Sequence, residues 1–185
     1  MGLFGWLRGN SGNGDRRAWR DEWARAVASL DAGALAPLAA ALRRQPPIAE
    51  DVEMEEEMLD GLRQLLDVER DLSAARLPIV DTTHRVVGAD RCHFSAPVSL
   101  PDDPAQPTGR LLLTSARAVF AGGARTPALP WHGVREVVQT GRDVIIVTSR
   151  GDGDGQRFRC NSYAEALCGA AIARFLVRQA RGARL

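Results

Sequence analysis

The sequence predicts an α+β protein in which helices come first, strands follow, and a last helix closes the chain. Three observations support this order. Apolar residues recur at helical spacing between residues 15 and 72, short apolar runs separated by turn residues occupy residues 89–160, and a second helical pattern begins near residue 163. Apolar residues three and four apart share a helix face, whereas short runs bounded by Gly, Pro or Asn indicate strands.

Composition indicates a folded protein of ordinary type. The 185 residues are 45% hydrophobic and 25% charged, which suits one domain, or one domain with an appendage. All 24 basic residues are arginine; we interpret this as codon bias in a GC-rich bacterial genome and expect no nucleic-acid partner. Cys92, Cys160 and Cys168 are odd in number and widely spaced, and no signal-peptide pattern begins the chain, so we expect a reduced, cytoplasmic protein. No apolar run approaches the roughly 18 residues of a membrane span, which leaves only a peripheral membrane role.

Charge is distributed unevenly between the two halves. Residues 1–90 carry 11 arginines against 16 acidic residues, a net charge of −5, whereas residues 91–185 carry 13 against 7, a net charge of +6. The halves are therefore complementary in charge. This pattern either helps them dock on each other or reflects two solvated faces.

Residues 1–14 are predicted to be a flexible apolar tip and linker. Leu3, Phe4, Trp6 and Leu7 precede the linker sequence GNSGNG. Phe4 and Trp6 are candidate binding residues, because aromatic side chains favour surfaces that are apolar on one side and wet on the other. The alternative is a frayed terminus that folds back on the body of the protein.

Residues 15–76 are predicted to form a helical extension of about three helices. Trp19, Trp23, Val27 and Leu30 mark the first helix, Asp31 caps a second that carries Leu35, Leu38 and Leu42, and a third covers residues 48–72. The acidic residues at positions 51–57 suit the start of that third helix; a carboxylate metal site is the alternative, although no histidine accompanies them. Apolar stripes need a partner, so the helices pack on each other, on the C-terminal domain or on a second copy, and a homo-oligomer is plausible.

Residues 77–185 are predicted to be the β domain. The strand region begins after Pro78 with the β-branched residues 79–87 and holds about seven strands in succession up to residue 160. Ser162 and Glu165 form a capping box that starts the closing helix. Arg174, Arg178 and Arg181 lie on its polar face and are candidate binding residues. Trp131 lies between apolar neighbours, and we expect its indole to be packed in the core.

Within this domain the pattern G-x-L-x-x-T-x-x-R-x-x-F, at residues 109–120, resembles the second and third strands of GRAM and bacterial pleckstrin-homology-like domains. The resemblance covers about residues 89–180. It implies a seven-stranded antiparallel barrel or sandwich capped by a C-terminal helix, with the N-terminal helices as an extension, and it implies an interaction module. The chain departs from phosphoinositide-binding members, because the loop at residues 99–110 contains Asp102 and Asp103 and has only Arg110 at its end.

Motifs for metal or covalent chemistry are weak. The sequence GDGDG at residues 151–155 is predicted to be a hairpin turn rather than a calcium loop. His84, Cys92, His93 and His132 could suggest a zinc site or a Cys/His enzyme, yet adjacent Cys92 and His93 should point to opposite faces of a strand, and no C-x-x-C motif is present. We expect no catalytic residues, no metal and no cofactor.

The sequence therefore favours a non-enzymatic interaction module that binds a protein partner or a membrane surface. A first alternative is a peripheral sensor of anionic lipid at the inner membrane face, which would use the N-terminal tip and the arginine stripe. A second alternative is an enzyme that uses Cys92 and a histidine such as His132.

Overall fold

The structure, a computed structural model, describes residues 11–44, 49–122, 128–149 and 155–182. The chain divides into two compact units between Leu66 and Asp67. This division lies inside the third helix, ten residues before the predicted boundary at 76/77.

The first unit is built from three helices: α1 (Ser11–Ser29), α2 (Leu35–Arg44) and the greater part of α3 (Ala49–Ser73). Residues 11–14, assigned to the linker from sequence, belong to α1, because a helix anchored by tertiary packing extends through weak helix formers. Leu30 was predicted to be on the apolar stripe. It is instead 42% exposed and ends the helix with φ 53°, while Ala26 is buried in its place.

The two tryptophans of α1 are core residues, as expected, and each also donates a hydrogen bond. Trp19 Nε1 donates to the Leu38 carbonyl of α2 at 3.0 Å, and Trp23 Nε1 donates to the Met58 carbonyl of α3 at 2.7 Å. Both indole rings are buried. Because a buried indole N–H requires an acceptor, these two bonds fix α1 against each of the other helices of this unit.

Glu55 is a fully buried carboxylate within the first unit. Arg20 reaches its Oε1 atom with Nε at 2.9 Å and Nη2 at 2.7 Å. The Oε2 atom is buried without a hydrogen-bond partner in the structure. The acidic cluster of α3 is thus more than a set of solvated charges at a helix start, since one member forms a buried ion pair.

The second unit contains a seven-stranded antiparallel sheet and a C-terminal helix, which confirms the α+β class. The strands are β1 (Cys92–Ser99), β2 (Thr108–Thr114), β3 (Arg117–Ala121), β4 (Ala128–Pro130), β5 (Val134–Thr140), β6 (Asp143–Thr148) and β7 (Gln156–Cys160), followed by α4 (Tyr163–Gly182). Their spatial order is β4-β3-β2-β1-β7-β6-β5. The sheet is open between β4 and β5, which are joined by a 3-10 turn at Trp131–Gly133.

Residues 79–87 do not form the predicted first strand. They have no regular secondary structure before a 3-10 turn at Arg85–Val87. A backbone hydrogen bond from the Val80 N–H to the Cys92 carbonyl, at 2.9 Å, ties the segment to β1. Val80 and Val87 pack with Leu112 and Val119. The β-branched composition of this segment therefore reflects burial against the sheet rather than strand pairing.

The sheet is covered on both faces where β2 runs. Leu111, Leu112 and Leu113 are all fully buried. Leu113 pairs with Phe94 of β1, whose ring lies 3.0 Å from the position a Cβ would occupy on Gly169 of α4. Leu112 points the opposite way, toward the segment that contains Val80 and Val87. Burial on both faces explains the unbroken apolar run.

The capping box predicted at the start of α4 is present. Ser162 Oγ accepts from the Glu165 N–H at 3.1 Å, and Glu165 Oε2 accepts from the Ser162 N–H at 3.2 Å. Two otherwise unpaired donors are thereby satisfied, so the helix begins at Tyr163.

The motif at residues 109–120 supports the β2–β3 hairpin. A Cβ on Gly109 would lie 2.6 Å from the Ala121 carbonyl and 2.8 Å from Phe120 Cζ, so only glycine fits between them. Thr114 Oγ1 accepts hydrogen bonds from the N–H groups of Ala116 and Arg117 across the turn. The motif is therefore explained by packing and turn geometry, without a ligand.

Candidate functional site

The arginines of α4 lie along β5, the end strand of the sheet. Arg174 Nε donates to the Val137 carbonyl at 3.0 Å. Arg181 Nη2 donates to the Val134 and Arg135 carbonyls at 3.1 and 2.7 Å. These two predicted site residues are thus brought together on a short stretch of backbone.

Arg178, the third member of the predicted stripe, lies one turn from Arg174 and Arg181. Its guanidinium carbon is 5.8 Å from the centre of the Phe175 ring, a cation–π distance. Partial burial lowers the pKa of Arg174, and the neighbouring Glu69 and Glu136 carboxylates act in the opposite direction. Phe4 and Trp6, the other predicted site residues, lie outside the described residues.

Strand β5 pairs with β6 on one side, and its other side is the sheet edge. In an antiparallel strand the N–H and C=O of one residue point to the same side. Because Arg174 reaches the Val137 carbonyl from the edge, the Val137 N–H faces that edge as well. We call the outer side of β5 with Arg174, Arg178 and Arg181 the β5–α4 edge. It combines backbone hydrogen-bonding groups with cationic side chains.

A second charged cluster lies on β6 and β7. Asp143 is 7% exposed and accepts a two-pronged bond from Arg159, with Nε to Oδ1 at 2.8 Å and Nη2 to Oδ2 at 3.0 Å. Arg157 lies 3.8 Å from the same carboxylate and 3.4 Å from Asp102. The alternation in QRFRC predicts that both arginines share a face. Their carboxylate partners could be found only from the fold.

Cys92, Cys160 and Cys168 are all buried. Burial raises the pKa of Cys92, and its Sγ donates to the Phe94 carbonyl at 3.2 Å. Burial raises the pKa of Cys160 to about 12. A thiol must ionise to attack, so these two groups are poorly suited to catalysis. His132, the suggested partner of Cys92, is exposed in the 3-10 turn before β5.

One polar constellation was missed by sequence reasoning. The alternation rule places Cys92 and His93 on opposite faces, but a bulge between Cys92 and Phe94 interrupts β1, and both residues are buried. The His93 ring contacts Ser115 and the Pro78 carbonyl. No local sequence signal connects these three residues, because they are 15 and 22 positions apart.

In the described part of the chain, no helix is long and apolar enough to cross a membrane. Among groups of His, Cys, Asp and Glu in the same residues, none brings three members together as a metal site would require.

Comparison with known proteins gives no family. No family model matches the chain, and no curated protein matches it. Among solved structures, the C-terminal domain of an unknown protein from Leishmania infantum is similar at a TM-score of 0.40 with 11% identity, over 64% of this chain and 98% of that one. The FERM and C-terminal domain complex of Drosophila Merlin is similar at a TM-score of 0.36 with 14% identity, over 72% of this chain and 45% of that one. Likenesses of this size carry no conclusion about function.

Proposed function

We propose that the second unit is a pleckstrin-homology-like interaction module without catalytic activity, and that it binds an extended, acidic segment of a protein partner at the β5–α4 edge. The strand order supports the fold assignment. One meander runs from β1 to β4 and a second from β5 to β7, with β1 paired to β7. The C-terminal helix packs against strands of both meanders, and this is the arrangement that the resemblance implies.

The observation that carries the proposal is the pairing of an open strand edge with two arginines bonded to it. An extended peptide adds to such an edge through main-chain hydrogen bonds. Arg174 and Arg181 already occupy three carbonyls there, so they shield the edge when no partner is present, as charged side chains do on natural edge strands. A carboxylate on an incoming peptide offers each guanidinium a stronger, charge-assisted partner than a carbonyl.

Charge favours an acidic partner at this place. Residues 67–185 carry 16 arginines against 12 acidic residues, a net charge of +4. Arg135, Arg174, Arg178 and Arg181 are exposed around β5 and the end of α4. Glu136 and Glu69 offset part of this charge, so the edge is moderately basic. Affinity for an acidic peptide should therefore fall with added salt.

The same geometry weakens the lipid-sensor alternative. A head group would have to compete for guanidinium groups that are bonded to the strand, and each basic residue near an anionic surface contributes only about 1 kcal/mol. A peptide strand replaces the lost carbonyl bonds with its own N–H groups.

The test is fluorescence anisotropy with labelled eight-residue peptides of alternating Glu and Val, compared with Lys and Val. We expect the acidic peptide to bind and the basic one not to. Arg174→Gln and Arg181→Gln should each weaken binding about 10- to 100-fold, which is the range for a hydrogen bond to a charged group. Arg110→Gln removes the same charge from β2, four positions from β5 in the sheet, and should leave affinity unchanged.

Two results would overturn the proposal. The first is equal affinity for the two peptides in every variant. The second is sedimentation with anionic phosphatidylglycerol vesicles at about 0.15 M salt, with no binding of either peptide, which would favour the lipid sensor.

A further inference from the structure

Ser115, His93 and the Pro78 carbonyl form a linear hydrogen-bonded series in the second unit. His93 Nε2 lies 2.9 Å from Ser115 Oγ, and His93 Nδ1 lies 2.7 Å from the Pro78 carbonyl oxygen. His93 is 6% exposed, whereas Ser115 is exposed in the tight turn between β2 and β3. A buried imidazole therefore contacts an accessible hydroxyl.

The acceptor at one end of the ring fixes its tautomer. A carbonyl oxygen only accepts, so Nδ1 carries the proton and donates it to Pro78. In neutral His93, Nε2 is then an acceptor, and the Ser115 hydroxyl donates to it. The other acceptor near that hydroxyl, the Arg91 carbonyl, is more distant at 3.4 Å. A serine that donates to an imidazole held by a third group is the arrangement that activates a hydroxyl for attack.

The turn does not provide a ready oxyanion site. The N–H groups of Ser115, Ala116 and Arg117 are bonded to the Arg91 carbonyl or to Thr114 Oγ1. A missing oxyanion donor costs about 10²–10³ in rate. The geometry therefore suits formation of a covalent adduct with a reactive donor better than rapid turnover.

We propose that Ser115 is a covalent modification site, activated by His93, that accepts an acyl group from a small ester with a good leaving group. Ser115 Oγ forms a bond to the acyl carbon while its proton passes to His93 Nε2. The bond from the acyl carbon to the leaving oxygen breaks, and that oxygen departs with its electron pair as an anion. His93 then releases its proton to solvent and returns to the neutral form.

The composition of the chain makes this site unusually easy to test. All 24 basic residues are arginine, so no lysine amine competes for the acyl group. Cys92, Cys160 and Cys168 are buried, and burial raises the pKa of the first two. The remaining competitors are the terminal amine, the phenol of Tyr163, which is the single tyrosine, and the imidazoles of His84 and His132, whose acetyl adducts hydrolyse in water.

The experiment mixes the full chain with p-nitrophenyl acetate and follows nitrophenolate release, with intact mass and peptide mapping of the product. We expect a burst of one equivalent and one acetyl group on Ser115. Ser115→Ala and His93→Gln should each slow the burst by at least about 10²-fold, the lower range of general-base assistance. Ser149→Ala removes another exposed serine and should react like wild type.

Several results would overturn the proposal: a burst in Ser115→Ala equal to that of wild type, acetyl groups confined to the terminal amine or Tyr163, or no adduct at all. Ser115 is exposed, so its alanine variant should fold even if His93→Gln does not, and the alanine variant alone then decides. Arg174→Gln should acetylate normally, which separates this site from peptide binding at the β5–α4 edge.

Discussion

Trp131→Ala should destabilise the second unit severely. The Trp131 side chain is 1% exposed, and its Nε1 donates to the Thr114 carbonyl at 2.8 Å. Its backbone N–H also bonds to the Ala116 carbonyl at 3.1 Å. The residue thus fastens the 3-10 turn between β4 and β5 to the β2–β3 hairpin, and it confirms the expectation that this indole is packed.

The size of the effect follows from burial. Truncating a buried tryptophan costs roughly 3–5 kcal/mol, against a total stability of about 5–15 kcal/mol. At roughly 3–5 °C per kcal/mol for a unit of this size, the melting temperature should fall by roughly 10–25 °C. The Thr114 carbonyl also loses its indole donor, which adds to the cost.

The assay is thermal unfolding followed by far-ultraviolet circular dichroism, with calorimetry to separate transitions of the two units. Trp131→Phe is the matched control, because it keeps a buried ring and loses only the N–H donor and part of the area, so its melting temperature should lie between those of wild type and Trp131→Ala. A Trp131→Ala variant that melts within about 2 °C of wild type, well under the shift expected for a cavity in the core, would refute the packing argument. It would make Trp131 a surface recognition residue.

Three further predictions concern a close backbone contact, the ion pair of a buried carboxylate and a buried thiol. Gly109→Ala should lower the free energy of unfolding, because its Cβ would lie 2.6 Å from a carbonyl; urea denaturation measures this, and an unchanged midpoint would contradict it. Arg20→Leu should destabilise the first unit by roughly 3–5 kcal/mol, because it leaves the fully buried Glu55 carboxylate without its partner. Glu55→Leu should cost less, because the Arg20 side chain that it leaves unpaired is 42% exposed to solvent. A larger loss of stability in Glu55→Leu, measured by urea denaturation, would count against a buried charge at Glu55. Burial raises the pKa of Cys160 from 9.0 in the unfolded chain to about 12 in the folded protein. Its contribution to stability is therefore present below pH 9 and is lost as pH rises toward 12, by up to roughly 1.4 kcal/mol per pH unit. The free energy of unfolding of Cys160→Ala should fall less than that of wild type between pH 9 and 11, and an equal fall in the two proteins would exclude this linkage.

Features that depend on neighbours in sequence could be predicted. Asp31, expected to cap the second helix, caps the 3-10 turn at Ala32–Ala34 directly before α2, where it accepts from the Gly33 N–H at 2.8 Å. This cap and the capping box of α4 follow from side chains that reach only a few residues. Helical spacing located the tryptophans of α1 as core residues, and runs between turn residues located the strands.

Features that depend on packing between distant segments could not be predicted. The segment at residues 79–87 has strand-like composition, yet it covers one face of the sheet, since apolar β-branched residues suit either role. The bulge after Cys92 leaves His93 without a paired residue on β2, and a one-residue shift of this kind leaves no mark on composition. In the candidate site, too, the local pattern could be predicted and the contacts between distant segments could not. The arginine stripe of α4 is visible from helical spacing, but its bonds to β5 span 37 to 47 positions.

Amide chemical-shift mapping of the isotope-labelled protein, titrated with the acidic peptide, tests the proposed docking site most directly. We predict that the largest changes fall on the β5 amides from Val134 to Gln139 and on the side-chain Nε–H signals of Arg174 and Arg181, and that exchange of the Val137 amide with solvent slows. Changes that leave β5 untouched and fall on the β6–β7 cluster around Asp143, or on no residue, would contradict docking at the β5–α4 edge.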